Sequence, residues 1–238
     1  MKRIELVGIE GVGTSYFTRF TKKRLDVKSF GKSASVCPDF CDALHKLDQE
    51  VKSKGGNFYI SDLTRDYVAQ EKARWEYITG KKKAFVAKPG ESFHNAGRAV
   101  DIDIESLNFS NIKKLDWIKK LWDLAIPLGF RSVIKEPIFG ISECWHLDYI
   151  GVWTDALNVL SYSEVAKCAV LDVGMWNSKE DSAKTIKMFI QSQLIRLKHY
   201  EIGEIDGVIG KKTINALNLY DIEDYMHLEN IAEILKNK

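Results

Sequence analysis

The sequence predicts an α+β protein, with a small central antiparallel sheet flanked by helices over residues 1–160 and a small all-helical unit over 181–238. Three observations carry this. Short alternating apolar runs are interleaved with amphipathic stretches as far as about residue 155, the pattern of an α+β domain. The composition shifts near "LDVGMWNSKEDS" (171–182), and only helical patterns follow, so residues 161–180 are read as a linker. A chain of 238 residues suits one medium domain and one small one, and 45% hydrophobic residues with only four prolines exclude a disordered chain.

The elements run in order. "RIELVGIE" (3–10) reads as a strand and leads through "GIEGVG" (8–13) to a basic segment, 17–33. That glycine pattern lacks the Lys-Ser/Thr ending of a phosphate loop and is a plain turn. Residues 35–56 form an amphipathic helix, with Phe40, Leu44, Leu47 and Val51 spaced by three and four and Gly55-Gly56 as the stop. "NFYISDLT" (57–64) alternates like a strand, and 65–80 is a second helix ending at Gly80. "RAVDIDIE" (98–105) is a strand. Residues 111–130 form a third helix with Leu115, Ile118, Leu121, Trp122 and Ala125 on one stripe, stopping near Pro127 and Gly129. "CWHLDYI" (144–150) is a further strand. Beyond the linker, 183–200 is helical, 201–210 is a turn-rich loop, 211–220 starts another helix, and the tail adds a short amphipathic one.

The formal charge, 35 − 33 = +2, gives no reason to expect nucleic-acid binding, and the lysines of "GKKKAF" (80–85) read as a solvated loop. No run of eighteen apolar residues occurs, so membrane insertion is not expected. Glu5 and Glu10 interrupt what would be a signal-peptide core. The expectation is a chain made in the cytoplasm without a signal peptide. Cys37, Cys41, Cys144 and Cys168 lack zinc-finger spacing and read as buried reduced thiols.

Chemistry concentrates in two stretches. In "ESFHNAGRAVDIDIE" (91–105), Val100, Ile102 and Ile104 face one side of a strand and Ala99, Asp101 and Asp103 the other, so one face is core and the other carries carboxylates. His94 lies just upstream, and Gly97 lets the backbone bend back toward Asp101. In "SECWHLDYIG" (142–151), His146 can add a third ligand. Catalytic zinc takes three protein ligands and leaves one position for water. Glu143, three residues before His146, is placed to accept a proton from that water. Cys144 is a weaker candidate ligand. Asp103 and Asp148 read as structural hydrogen-bond acceptors, with Asp103 alternatively orienting a ligand from behind.

Taken together, Ser92, His94, Gly97, Ala99 and Asp101, as S-x-H-x-x-G-x-A-x-D, with Glu143, Trp145 and His146, as E-x-W-H, resemble a known group. These are the zinc D-Ala-D-Ala carboxypeptidases and the L-alanyl-D-glutamate endopeptidases of phage endolysins. "AIPLGF" (125–130) and "SDLTRDYVAQ" (61–70) also fit, and the likeness covers about 35–153. It implies that His94, Asp101 and His146 bind Zn2+ and that Glu143 is the catalytic base. It also implies that Arg65 binds the scissile carbonyl and its developing oxyanion, and that Ser92 contacts substrate. Leu63-Thr64 stands where the group usually has Gly-Tyr, which bears on how Arg65 is aimed.

The C-terminal stretch 185–218 resembles a peptidoglycan-binding repeat through Leu194, Leu197, Asp206, Gly207, Gly210, Thr213 and Ala216. The two resemblances imply a zinc peptidase acting on bacterial peptidoglycan at the cell wall; a monomer is expected, and the want of a signal peptide fits release by a holin where the source is a phage. Within that reading, L-Ala-D-Glu endopeptidase and D-Ala-D-Ala carboxypeptidase activities stay open. A non-catalytic wall-binding protein with a structural zinc is the alternative; the presence of both Glu143 and Arg65 argues against it.

Overall fold

The computed structural model describes residues 3–18, 20–176 and 181–238. Strands β1 (Val7–Gly8), β2 (Gly13–Phe17), β3 (Arg24–Asp26) and β4 (Ser35–Val36) precede the first helix, α1 (Pro38–Ser53). Then come β5 (Tyr59–Asp62), α2 (Tyr67–Ile78), β6 (Ala99–Ile102), α3 (Trp117–Ala125), β7 (Phe130–Ser132) and β8 (His146–Tyr149). The helices α4 (Thr154–Leu157), α5 (Tyr162–Val173), α6 (Ser182–Arg196), α7 (Lys211–Asn218) and α8 (Leu228–Lys236) complete the chain.

Strands β1 and β4 pair as a small ribbon, and the other six form one sheet in the order β3-β2-β5-β6-β8-β7. An antiparallel sheet was expected from four strands; four of the five pairings are antiparallel, but β2 runs parallel to β5. The expected strand over 3–10 shrinks to Val7–Gly8, and the basic segment after it supplies the sheet edge instead. Arg24 fixes this edge: it stacks 4.2 Å over both Phe17 and Tyr59 and pairs with Asp103 at 3.1 Å.

Two apolar clusters fill the interior. The first packs α1 and α3 against the sheet through Phe40, Leu44, Leu47, Val51, Ile118 and Leu121. Helix α3 is shorter than the expected 111–130. Leu115 does not join its stripe: it sits in a 3₁₀ turn before the helix and is 72% exposed. The second cluster joins Phe93, Ala96, Ala99 and Trp153 to apolar residues of α5, α6, α7 and α8. The stretch expected to be a linker is therefore helical from Tyr162 to Val173, with Val165, Cys168 and Leu171 buried; 177–180 lie outside the described residues. The N-terminus is tied to the same helix, as Ile4 N donates to Asp172 O at 2.9 Å. Among the described residues, no helix is long and apolar enough to cross a membrane.

In the C-terminal helices, Gly207 adopts φ +78°, and Gln191 serves the whole turn. Its amide donates to Asp206 at 2.9 Å and its oxygen accepts from Gly207 N at 2.8 Å. Leu194, Thr213 and Ala216 are buried, and Gly210 starts α7.

Candidate metal centre

Two central strands bring the ligands together. Asp101 on β6 is the register partner of His146 on β8, so both side chains leave the same face of the sheet. His94 arrives from a single tight turn. Arg98 N donates to Phe93 O at 2.9 Å and Gly97 N to His94 O at 3.3 Å, with Gly97 at φ +61°. That is a Schellman-type end, which requires a left-handed residue and hence favours glycine. The turn is pinned by buried Asn95, whose amide donates to Arg65 O at 2.8 Å while its oxygen accepts from Gly90 N at 3.0 Å.

One ligand atom each from His94, Asp101 and His146 falls within 4.8 Å of the others. Asp101 Oδ1 is 3.3 Å from His94 Nε2 and 2.8 Å from His146 Nδ1. The opposite ring nitrogens are engaged: His94 Nδ1 bonds Leu63 O, and His146 Nε2 lies 2.9 Å from Asp148 Oδ1. Each outer bond favours the tautomer that can present the inner nitrogen to a cation at the shared point. His94 Nε2 is buried without a hydrogen-bond partner, a costly state for a polar atom that a cation at this point relieves. The three residues thus fit a divalent metal.

The electrostatics agree. Burial alone would raise the Asp101 carboxyl, but the His94 charge and the His146 bond hold it well below the usual carboxylate range. Burial would lower His146, but Asp148 and Asp101 push it well above its ordinary value. A site that holds a proton this firmly between two carboxylates is built to hold positive charge.

All six residues singled out in the sequence line one cavity of about 860 Å³. Glu143 sits on its wall at φ +67°, a left-handed backbone that a glutamate adopts at a cost of roughly 1–2 kcal/mol, the kind of strain that gathers at functional sites. Burial raises its carboxyl above the ordinary value, opposed by His146, assisted by Asp101 and opposed again by Arg65. Arg65 precedes α2, which Asp66 caps by accepting from Ala69 N at 2.7 Å. Its guanidinium is held by Asp62 at 2.7 Å, Asp101 at 3.2 Å and Gln70 at 3.3 Å. The departure at Leu63-Thr64 does not loosen it: Leu63 is buried, and Thr64 Oγ1 donates to Ser35 O at 2.6 Å. Ser92 Oγ accepts from His94 N at 3.3 Å, supporting the turn as well as lining the cavity.

Several expectations need revision. Cys144 lies in the main core and not in the ligand group. Asp103 is the structural acceptor it was read as, taking hydrogen bonds from Arg24 and Ser106, and the alternative of orienting a ligand falls away. Asp148 is more than a structural acceptor, because it orients His146; the alternation His146-Leu147-Asp148 along β8 places it on the ligand face. Lys82 and Lys83, read as part of a solvated loop, border the cavity, as do Arg131 and Tyr162.

The model of the VanY family, described as D-alanyl-D-alanine carboxypeptidase, matches residues 33–152, or 120 of 238. No curated protein matches the chain. Among solved structures, the LD-carboxypeptidase LdcB, described for its peptidoglycan recognition, is 25% identical over 69% of this chain and 78% of its own, at a TM-score of 0.46. VanYB in complex with D-alanine-D-alanine is 19% identical over 63% and 80%, at 0.42. The vancomycin-resistance D,D-pentapeptidase VanY in complex with Zn(II) is 20% identical over 65% and 83%, at 0.40.

Proposed function

Because this chain belongs to the VanY family of D-alanyl-D-alanine carboxypeptidases, we propose that it is a zinc peptidase removing the terminal residue of peptidoglycan stem peptides. One observation carries the reading: His94, Asp101 and His146 converge on one point, beside Glu143 and Arg65, in a single cavity. Two imidazole nitrogens and one carboxylate oxygen form a donor set that zinc accepts with a coordination position left open. Bound there, zinc supplies Lewis-acid chemistry that polarises the scissile carbonyl and makes water more acidic.

The chain's own groups do the rest. Glu143, whose burial raises its proton affinity, takes the proton of the attacking water and returns it to the leaving amine. Arg65 presents its guanidinium to the carbonyl oxygen as negative charge grows there. Asp62 and Gln70 hold that fork in place before substrate arrives.

Arg131 favours trimming over internal cleavage. It is the register partner of Asp148, so it leaves the ligand face of the sheet and lines the cavity. There it offers a cation to a free terminal carboxylate. The C-terminal helices, with their Asp206-Gly207 turn, would keep the enzyme at an insoluble wall and raise its effective concentration there.

The test is mass spectrometry of muropeptides after digestion with the zinc-loaded chain. Free D-alanine supports carboxypeptidase action. New glutamate N-termini would instead support an endolysin-like L-Ala-D-Glu endopeptidase acting at the wall after holin release. No product would favour a wall-binding protein with a structural zinc.

A further inference from the structure

The metal centre leans on a residue beyond the family-matched segment. Tyr162, the first residue of α5, lies ten positions past the matched range 33–152. Its hydroxyl donates to Asp148 Oδ2 at 2.7 Å, while Asp148 Oδ1 accepts from His146 Nε2 at 2.9 Å. Its ring meets that of Phe93 edge-on, 5.3 Å between centroids, and Phe93 adjoins His94 in the tight turn. Both histidine segments therefore rest on one side chain. Asp148 is wholly buried, so the oxygen facing Tyr162 would be left without a partner if the hydroxyl were removed. A carboxylate with one oxygen orphaned is free to rotate, and the ring it orients goes with it.

We propose that Tyr162 is a positioning residue of the metal centre: it holds Asp148, and through Asp148 the ring of His146, so that the C-terminal helices complete the site. The inference rests on the metal reading above. It explains why α5 is packed against both the peptidase core and α6 and does not serve as a flexible tether. It also assigns the helices beyond the matched segment a role at the reaction centre, besides any role in wall binding.

The experiment uses the full chain and zinc alone as ligand, with affinity measured by competition against a chromophoric chelator. Tyr162→Phe removes one oxygen and keeps the ring against Phe93, and a denaturation midpoint checks that the variant folds. Zinc should bind several-fold more weakly, approaching the roughly tenfold loss that follows when a ligand's own outer partner is removed, because Tyr162 acts through Asp148. In an Asp148→Asn background, where the acceptor is already altered, Tyr162→Phe should add little further loss. A purely structural role predicts the same loss in both backgrounds, and that result, or an unchanged affinity in Tyr162→Phe, overturns the proposal while leaving the metal reading intact. If the unaltered chain itself fails to bind zinc at micromolar concentration, the metal reading fails first and this inference with it.

Discussion

Replacing Arg65 by lysine keeps the charge and destroys the fork. A guanidinium has five N–H donors, and four are engaged: Nε and one NH2 proton with Asp62, the other NH2 proton with Asp101 and one NH1 proton with Gln70. The second NH1 proton remains for substrate, in a plane fixed by those contacts. A lysine ammonium has three donors on a flexible stem and cannot span Asp62, Gln70 and Asp101 while presenting a further donor to a carbonyl oxygen. Loss of a preorganised oxyanion donor costs on the order of a hundredfold to a thousandfold in kcat, about 2.7–4 kcal/mol. The assay is release of D-alanine from a pentapeptide at saturating zinc, which corrects for any weakening of the metal through Asp101. A fall of at least about a hundredfold in kcat with KM little changed is expected. Arg65→Lys retaining kcat within threefold would refute the role drawn from this geometry.

Gly97→Ala should destabilise the fold by at least ~1–2 kcal/mol, the cost of a left-handed alanine. The added Cβ would also lie 3.2 Å from Leu6 and 3.3 Å from both Thr64 Oγ1 and Val36 Cα, so a lower urea midpoint checks this and an unchanged one contradicts it. All four cysteines are buried and free, and burial pushes the Cys37 thiol up to about 11. A chromogenic disulfide reagent near pH 8 should therefore find no fast thiol in the native chain and four after unfolding; a rapidly reacting native thiol would show that one of them is accessible.

The ligand set was legible because a metal site needs particular donors at particular spacings. His94, Asp101, Glu143 and His146 stand in two short stretches whose strand register then closes them on one point. Asp148 was half-legible: alternation along β8 put it beside His146, but nothing in the sequence marks which carboxylate meets the ring. Tyr162 was not legible, since it comes from a helix hidden by a composition shift read as a linker. Strands β2 and β3, at one end of the sheet, escaped because they are short and carry polar residues that Arg24 secures by stacking and pairing, not by apolar alternation. Leu115 misled because a helical spacing continued into residues that form a 3₁₀ turn.

X-ray absorption at the zinc edge of the purified, zinc-loaded chain, with metal content measured on the same sample, is the most direct measurement. It should give one zinc per chain in a shell of nitrogen and oxygen at about 2.0–2.2 Å, with two imidazoles and no sulfur. A zinc–sulfur distance near 2.3 Å, which would implicate Cys144, or a chain that retains no zinc, would contradict it.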